Sequence, residues 1–357
     1  MSKFKVEFTL KQHTPIIHFQ SEQRGATLRA TELKPKFDRF LLENVENLPF
    51  KENANGHKSL DYKVKIEQNI SNALEINKKE SLFFGNMGDG EDKKYKLYTK
   101  IFTISFLSFN TTIKKAIENN FEAFLANTNF GTRQSKGYGG FYIDKKEFNP
   151  KLVPHKVYSF STNNWEKDIK TFYSFLRQGI NLPNRDGTRF YSKPAIFSYA
   201  KSKGWTWDKK AIKEKYFKDK LQHQSGDAVE YKSDMKFLLR DLFGLSSDQS
   251  WMSYKTTISK ENQEIERYKS PITFKIVNNK VYFWANKTVE KILDKEFVVK
   301  SNKKGDLTLS TPNSFDFDDF FNFTFKIDLS KHIDSKYHNQ PEYTILTHIF
   351  RDIKSSL

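Results

Sequence analysis

The densest run of chemically capable residues lies between Phe130 and Ile143. There Gly131, Gly137, Gly139 and Gly140 bracket Arg133, Lys136 and Tyr138. Four of the chain's 15 glycines fall in these ten positions, so the run needs a reason of its own. Clustered glycines admit positive φ and let backbone approach a ligand closely. Backbone N–H groups in such a loop can cradle phosphate oxygens. Arg133 and Lys136 would add charge for the same oxygens, and Tyr138 a stacking face for an unpaired base. The spacing matches neither GxxxxGK[ST] nor GxGxxG, and the loop follows a helical pattern instead of opening one, which excludes NTPase and dinucleotide sites. The purely architectural alternative is a helix C-cap at Gly131 followed by a glycine-rich bulged strand.

Other residues invite chemistry less strongly. His13 and His18 flank Thr14-Pro15, and histidine titrates where acid–base cleavage of RNA would need it; two ordinary loop histidines are the plainer account. Asp89, Glu91 and Asp92, and again Asp316, Asp318 and Asp319, are acidic clusters that a two-metal nuclease could use, though solvated turns fit them as well. No metal site and no cofactor are expected. Arginine is scarce, at 10 against 50 lysines, so its placement is informative. Arg24, Arg29 and Arg39 fall together with Lys34 and Lys36, Arg133 sits in the glycine loop, and Arg185 and Arg189 flank a turn-rich stretch. Residues 201–220 interleave Trp205, Trp207 and Tyr216 with lysines, as a single-strand groove or as a helix whose aromatics are core.

The composition bounds the class. The net charge of +17 favours a polyanionic partner. The absence of cysteine excludes disulfides and thiolate metal sites, and fits a reducing, cytoplasmic setting. No apolar run reaches the roughly 18 residues of a membrane helix. The first ten residues lack a leader's apolar stretch and read as a strand. With 34 Phe and 16 Tyr there is ample material for a core.

Elements that would position these residues follow from periodicity. Residues 4–11 and 95–108 alternate as strands, and Phe37, Phe40 and Leu41 mark a short helix. Residues 44–80 read as a polar insertion. Ile113, Ala116, Ile117, Phe121, Phe124 and Leu125 define one face of a helix with Thr112 as a candidate N-cap, leading into the glycine loop and a strand at 140–143. In the second half come a strand at 156–161, a helix carrying Trp165 to Ile180 on one face, a helix at 234–243, a hairpin turning at Asn278-Asn279, a second hairpin about Gly305, and a closing helix at 341–353. Two short Phe-Gly matches, at Ser81–Gly85 and Asp241–Gly244, hint at a repeat. The expected fold class is α+β, with two ferredoxin-like (RRM-like) domains with insertions, residues 1–150 and 151–357.

The loop running from Gly131 through Arg133 and Lys136 to Gly137-Tyr138-Gly139 resembles the glycine-rich loop of the CRISPR-associated RAMP superfamily. Within it the chain is most similar to the first subunit of the Cmr (type III-B) effector complex. Thr14-Pro15, Leu28-Arg29, Leu33, Pro35, Arg39-Phe40 and the segment Arg267 to Pro271 carry that likeness. One glycine stands before Arg133 where the group usually has two, and Leu41-Leu42 replaces paired aromatics. The resemblance implies an RNA-binding subunit of an antiviral effector, holding the 3′ region of guide RNA and/or target RNA beside other CRISPR effector subunits, with no membrane role. The residues implied for RNA are Arg24, Arg29, Lys34, Lys36, Arg39, Gly131, Arg133, Lys136, Gly137, Tyr138, Gly139, Arg185 and Arg189. The enzymatic alternative is a metal-independent endoribonuclease that processes CRISPR repeats with His13 or His18.

Overall fold

A computed structural model describes residues 4–18, 27–68, 70–76, 95–183, 189–218, 233–245, 249–253, 255–262, 264–265, 267–302 and 305–356. The chain is α+β and divides into two compact units. Unit 1 is Met1–Val157 with Thr273–Trp284; unit 2 is Tyr158–Ile272 with Ala285–Leu357. Among the described residues no helix is long and apolar enough to cross a membrane.

Unit 1 begins with β1 (Lys5–Gln12), whose alternation buries Val6 and Leu10 and exposes Lys5, Glu7, Thr9 and Lys11, with Phe8 half-buried. Helix α1 (Ala30–Asn44) follows, burying Leu33, Phe37 and Leu41 at four-residue spacing. It starts well before the predicted turn at Phe37. Pro35 and three basic residues masked the apolar stripe, yet the helix runs through Pro35. The expected insertion holds a ribbon, β2 (Phe50–Glu52) with β3 (Lys58–Leu60), then β4 (Lys63–Glu67). A second ribbon pairs β5 (Ile70–Glu75) with β6 (Tyr95–Thr99), and β7 spans Phe102–Leu107. The single strand expected over 95–108 is therefore two, broken at Lys100 and Ile101. Helix α2 (Thr111–Asn127) is capped by Asn110, not Thr112: the Asn110 side chain accepts from the N–H groups of Thr112 and Ile113 at 2.9 and 3.0 Å. Strand β8 (Phe141–Ile143) completes the unit.

The main sheet has the order β4-β7-β1-β8, with every pair antiparallel. Both helices share one core with its apolar face. Phe37 meets Phe124 at 4.7 Å between ring centroids, and Phe106 meets Phe121 at 4.9 Å in an edge-on pair, so aromatic rings fill the interior. The hairpin of Ile272–Val277 and Lys280–Ala285 turns at Asn278 and Asn279, both with positive φ as a two-residue hairpin turn requires. It supplies Val277 and Trp284 to the same core.

Unit 2 is built differently. Its largest sheet is six-stranded and mixed, in the order Thr206–Trp207, Lys236–Phe237, Leu307–Ser310, Glu296–Ser301, Thr256–Glu261, Gln249–Ser253. Helices Trp165–Arg177, Phe317–Phe325 and Pro341–Ser356 bury Phe172, Phe321, Phe325 and Phe350. The helix expected at 234–243 is a two-residue strand and a 3-10 turn, Leu239–Phe243. Trp207 and Tyr216 are buried and Trp205 half-buried, so in this lysine-rich segment the core account holds over the groove. Asp316 is the N-cap of Phe317–Phe325, accepting from Asp318 N–H at 2.7 Å, while Asp319 binds Tyr199 Oη at 2.6 Å and Lys203 at 2.8 Å. That acidic triplet is a helix start. Asp89, Glu91, Asp92 and the Ser81–Gly85 half of the candidate repeat lie outside the described residues. Among the described residues no three His, Asp or Glu gather as a metal site would require.

Candidate nucleic-acid interface

The glycine loop leaves α2, crosses beneath the end of β1 and returns as β8. Its glycines are needed for approach to the chain itself. Gly131 has φ +75°, and a Cβ there would stand 2.5 Å from the Ile17 carbonyl oxygen. At Gly139, with φ +70°, a Cβ would fall onto the Phe130 carbonyl. Hydrogen bonds complete the lock. Thr14 Oγ1 donates to Gly137 O at 2.6 Å and accepts from Gly140 N at 2.8 Å. Gly139 N donates to Pro15 O at 2.8 Å, and Thr132 N to Ile17 O at 2.6 Å. Gly131 N donates to Glu32 Oε1 at 2.8 Å, and Gly137 N to Gln134 O at 3.1 Å.

The N–H groups of Gly131, Gly137 and Gly139, expected to cradle phosphate, donate within the chain here, and the close approach of Gly131 and Gly139 is to Ile16, Ile17 and Phe130. Tyr138, expected to stack on a base, is 3% exposed. Lys136 is buried at 6%. Arg133 is half-buried at the loop's tip with φ +56°, and burial holds its guanidinium somewhat below its ordinary value, still protonated at neutral pH.

Helix α1 lies against this loop. Lys36 Nζ bonds Glu32 Oε1 at 2.7 Å and the Asn129 carbonyl at 3.3 Å, so Glu32 ties Lys36 to Gly131 N–H. Lys34 is spent on Asp38 at 2.6 Å and on the Leu60 carbonyl at 2.9 Å. Both lysines, expected to face RNA, also brace the fold. Arg29 is half-buried at the start of α1, and Arg39 is exposed one turn beyond Lys36. Arg24 and Arg185 lie outside the described residues, as does the side chain of Arg189.

His18 is 4% exposed. His13 accepts from Asn278 N–H at 3.3 Å, and burial, then the charges of Lys275 and Lys11, push it down to about 4. It is neutral at physiological pH.

Lys275 and Asn129 were not singled out from sequence, and Thr14 only as part of the family likeness, yet all three hold the loop. Lys275 is 0% exposed; its ammonium donates to the carbonyls of Thr128, which caps α2, at 2.8 Å and of Phe141 at 3.0 Å. Burial pushes it down to about 7. Asn129 Nδ2 donates to Gln134 O at 2.7 Å and to Phe274 O at 2.8 Å. The one signal available was a lone charged residue inside the run Ile272–Val277.

Fold and site together define a basic α+β protein whose glycine-rich loop is fastened to the first strand and first helix of its N-terminal unit. Residues 3–180 match the Cmr1 N-terminal domain and residues 191–355 the Cmr1 C-terminal domain. The chain belongs to the Cmr1 family, a subunit of the type III-B CRISPR (Cmr) complex. No curated relative matches it.

Proposed function

We propose that this subunit holds RNA within the type III-B effector, gripping the 3′ region of the guide and/or the target in cytoplasmic antiviral defence, and that it does so without cutting. The match of both Cmr1 domains along nearly the whole chain carries this reading. The +17 charge supports it, since electrostatic attraction to phosphate dominates RNA affinity. The order β4-β7-β1-β8, with two helices on one face, is the order of a ferredoxin-like unit and supports that architecture for unit 1. Of the residues first assigned to RNA, exposed Arg39 on α1 and half-buried Arg133 in the glycine loop are the two we put to the test. The endoribonuclease alternative is not favoured: His18 is buried and His13 accepts from a backbone amide.

The test is the salt dependence of RNA affinity in wild type and in the Arg39→Ala, Arg133→Ala double variant. Losing two phosphate contacts lowers the log–log slope by about 0.7 per contact on single strands. An unchanged slope and affinity would remove both arginines from the interface.

A further inference from the structure

Arg133 has φ +56°, a left-handed conformation that a residue with a side chain disfavours. Such a residue persists only where its surroundings over-determine it. Part of what holds it is local. Lys136 N donates to Arg133 O at 2.9 Å, Gly137 N to Gln134 O at 3.1 Å, and Gln134 Nε2 to Gly131 O at 2.5 Å.

The rest comes from Asn129, which is 3% exposed and stands where the loop leaves α2. Its Nδ2 gives one proton to Gln134 O at 2.7 Å and the other to Phe274 O at 2.8 Å. Asn129 thus bridges the residue after Arg133 to the hairpin strand Ile272–Val277. The same strand grips the next two loop residues: Phe274 N donates to Ser135 O at 3.1 Å, and Lys136 pairs with Phe274 in a parallel bridge. Asn129 is itself anchored. Lys275 Nζ bonds the preceding Thr128 carbonyl at 2.8 Å, and Lys36 Nζ bonds the Asn129 carbonyl at 3.3 Å. Turning the amide over would set its oxygen against two carbonyl oxygens, so the direction of the donors is fixed. Asn129 Oδ1 is buried without a hydrogen-bond partner among the described residues. An orphaned acceptor costs stability, so the side chain acts through its two donors.

We propose that Asn129 is a positioning residue for RNA: by clamping Gln134 to the hairpin, it keeps Arg133 in the left-handed turn from which the guanidinium meets a phosphate of single-stranded RNA. This rests on the RNA-holding role above and gives that role a residue that touches no RNA itself.

The experiment is a double-mutant cycle on the full chain, titrated with a labelled oligouridylate. Arg133→Ala should weaken binding roughly 10- to 100-fold, as for one hydrogen-bonded charge. It should also lower the salt slope by about 0.7. Without its clamp the left-handed turn is populated less, and affinity falls with that fraction, so Asn129→Ala should weaken binding roughly 5- to 30-fold. In the Arg133→Ala background Asn129→Ala should cost nothing more, because the turn then has no guanidinium to present. A side chain that served only the fold would weaken both backgrounds alike. The melting temperature of each variant is the folding control. Gln134→Ala, at a half-buried position, removes the tie to Gly131 and keeps the test open should Asn129→Ala fail to fold. It too should weaken only the chain that retains Arg133. Equal losses in the two backgrounds, or a folded Asn129→Ala with unchanged affinity, overturn the positioning role and leave Arg133 on RNA. Unchanged affinity in Arg133→Ala removes that arginine from the interface and the proposal with it.

Discussion

Replacing Lys275 with methionine should change how stability depends on pH, by an amount the structure sets. The ammonium is 0% exposed, bonded to two carbonyls, and lowered by burial from 10.5 to about 7. A base with a depressed folded pKa binds fewer protons when folded than when unfolded between those two values. Stability then rises with pH from about 7 towards 10.5, and the cost of the buried charge is fully present below about 7. Between pH 7 and pH 9 this one group should add about 2 kcal/mol of stability to the wild type. Methionine keeps most of the volume and cannot titrate, so the variant should lack that increment. The same range lies above the point where His13, at about 4, titrates in the folded chain. Urea unfolding of both proteins at the two pH values reads the difference directly, because other groups cancel in the comparison. Parallel pH dependence in wild type and Lys275→Met would show that the lysine is not held as a desolvated ammonium, and the account of the loop's anchor would fail.

Other outcomes follow from the same geometry. Gly139→Ala puts a Cβ onto the Phe130 carbonyl at positive φ and should cost about 2 kcal/mol or more, measured by thermal unfolding; a neutral result would mean that the loop can shift away from Phe130. Asn110→Ala removes the side-chain N-cap of α2 and should cost about 1 kcal/mol, with Asn110→Asp largely preserving stability.

Much of unit 1 is legible in the sequence because its signals are local. The alternation of Val6 and Leu10 gives β1, the stripe from Ile113 to Leu125 gives α2, and Asn278-Asn279 marks the hairpin turn. What was not legible depends on partners distant in the chain. The glycine run is conspicuous, but nothing near it shows that Ile16, Ile17 and Phe130 occupy the space beside Gly131 and Gly139. Lys34 and Lys36 look like solvated charge until Asp38, Leu60 and Glu32 fold against them. Lys275 lies 147 residues from the Thr128 carbonyl it serves. Unit 2 escaped for another reason: strands as short as Thr206–Trp207 and Lys236–Phe237 carry too little alternation to detect, so its mixed sheet could not be read in advance.

The most direct measurement incubates the purified chain with end-labelled CRISPR RNA in EDTA at low and moderate salt, run side by side on native and denaturing gels. The account predicts a shifted complex that weakens with salt while the RNA stays full length. A discrete cleavage product lost on His13→Ala would contradict it, as would the absence of any shift both alone and with the assembled effector.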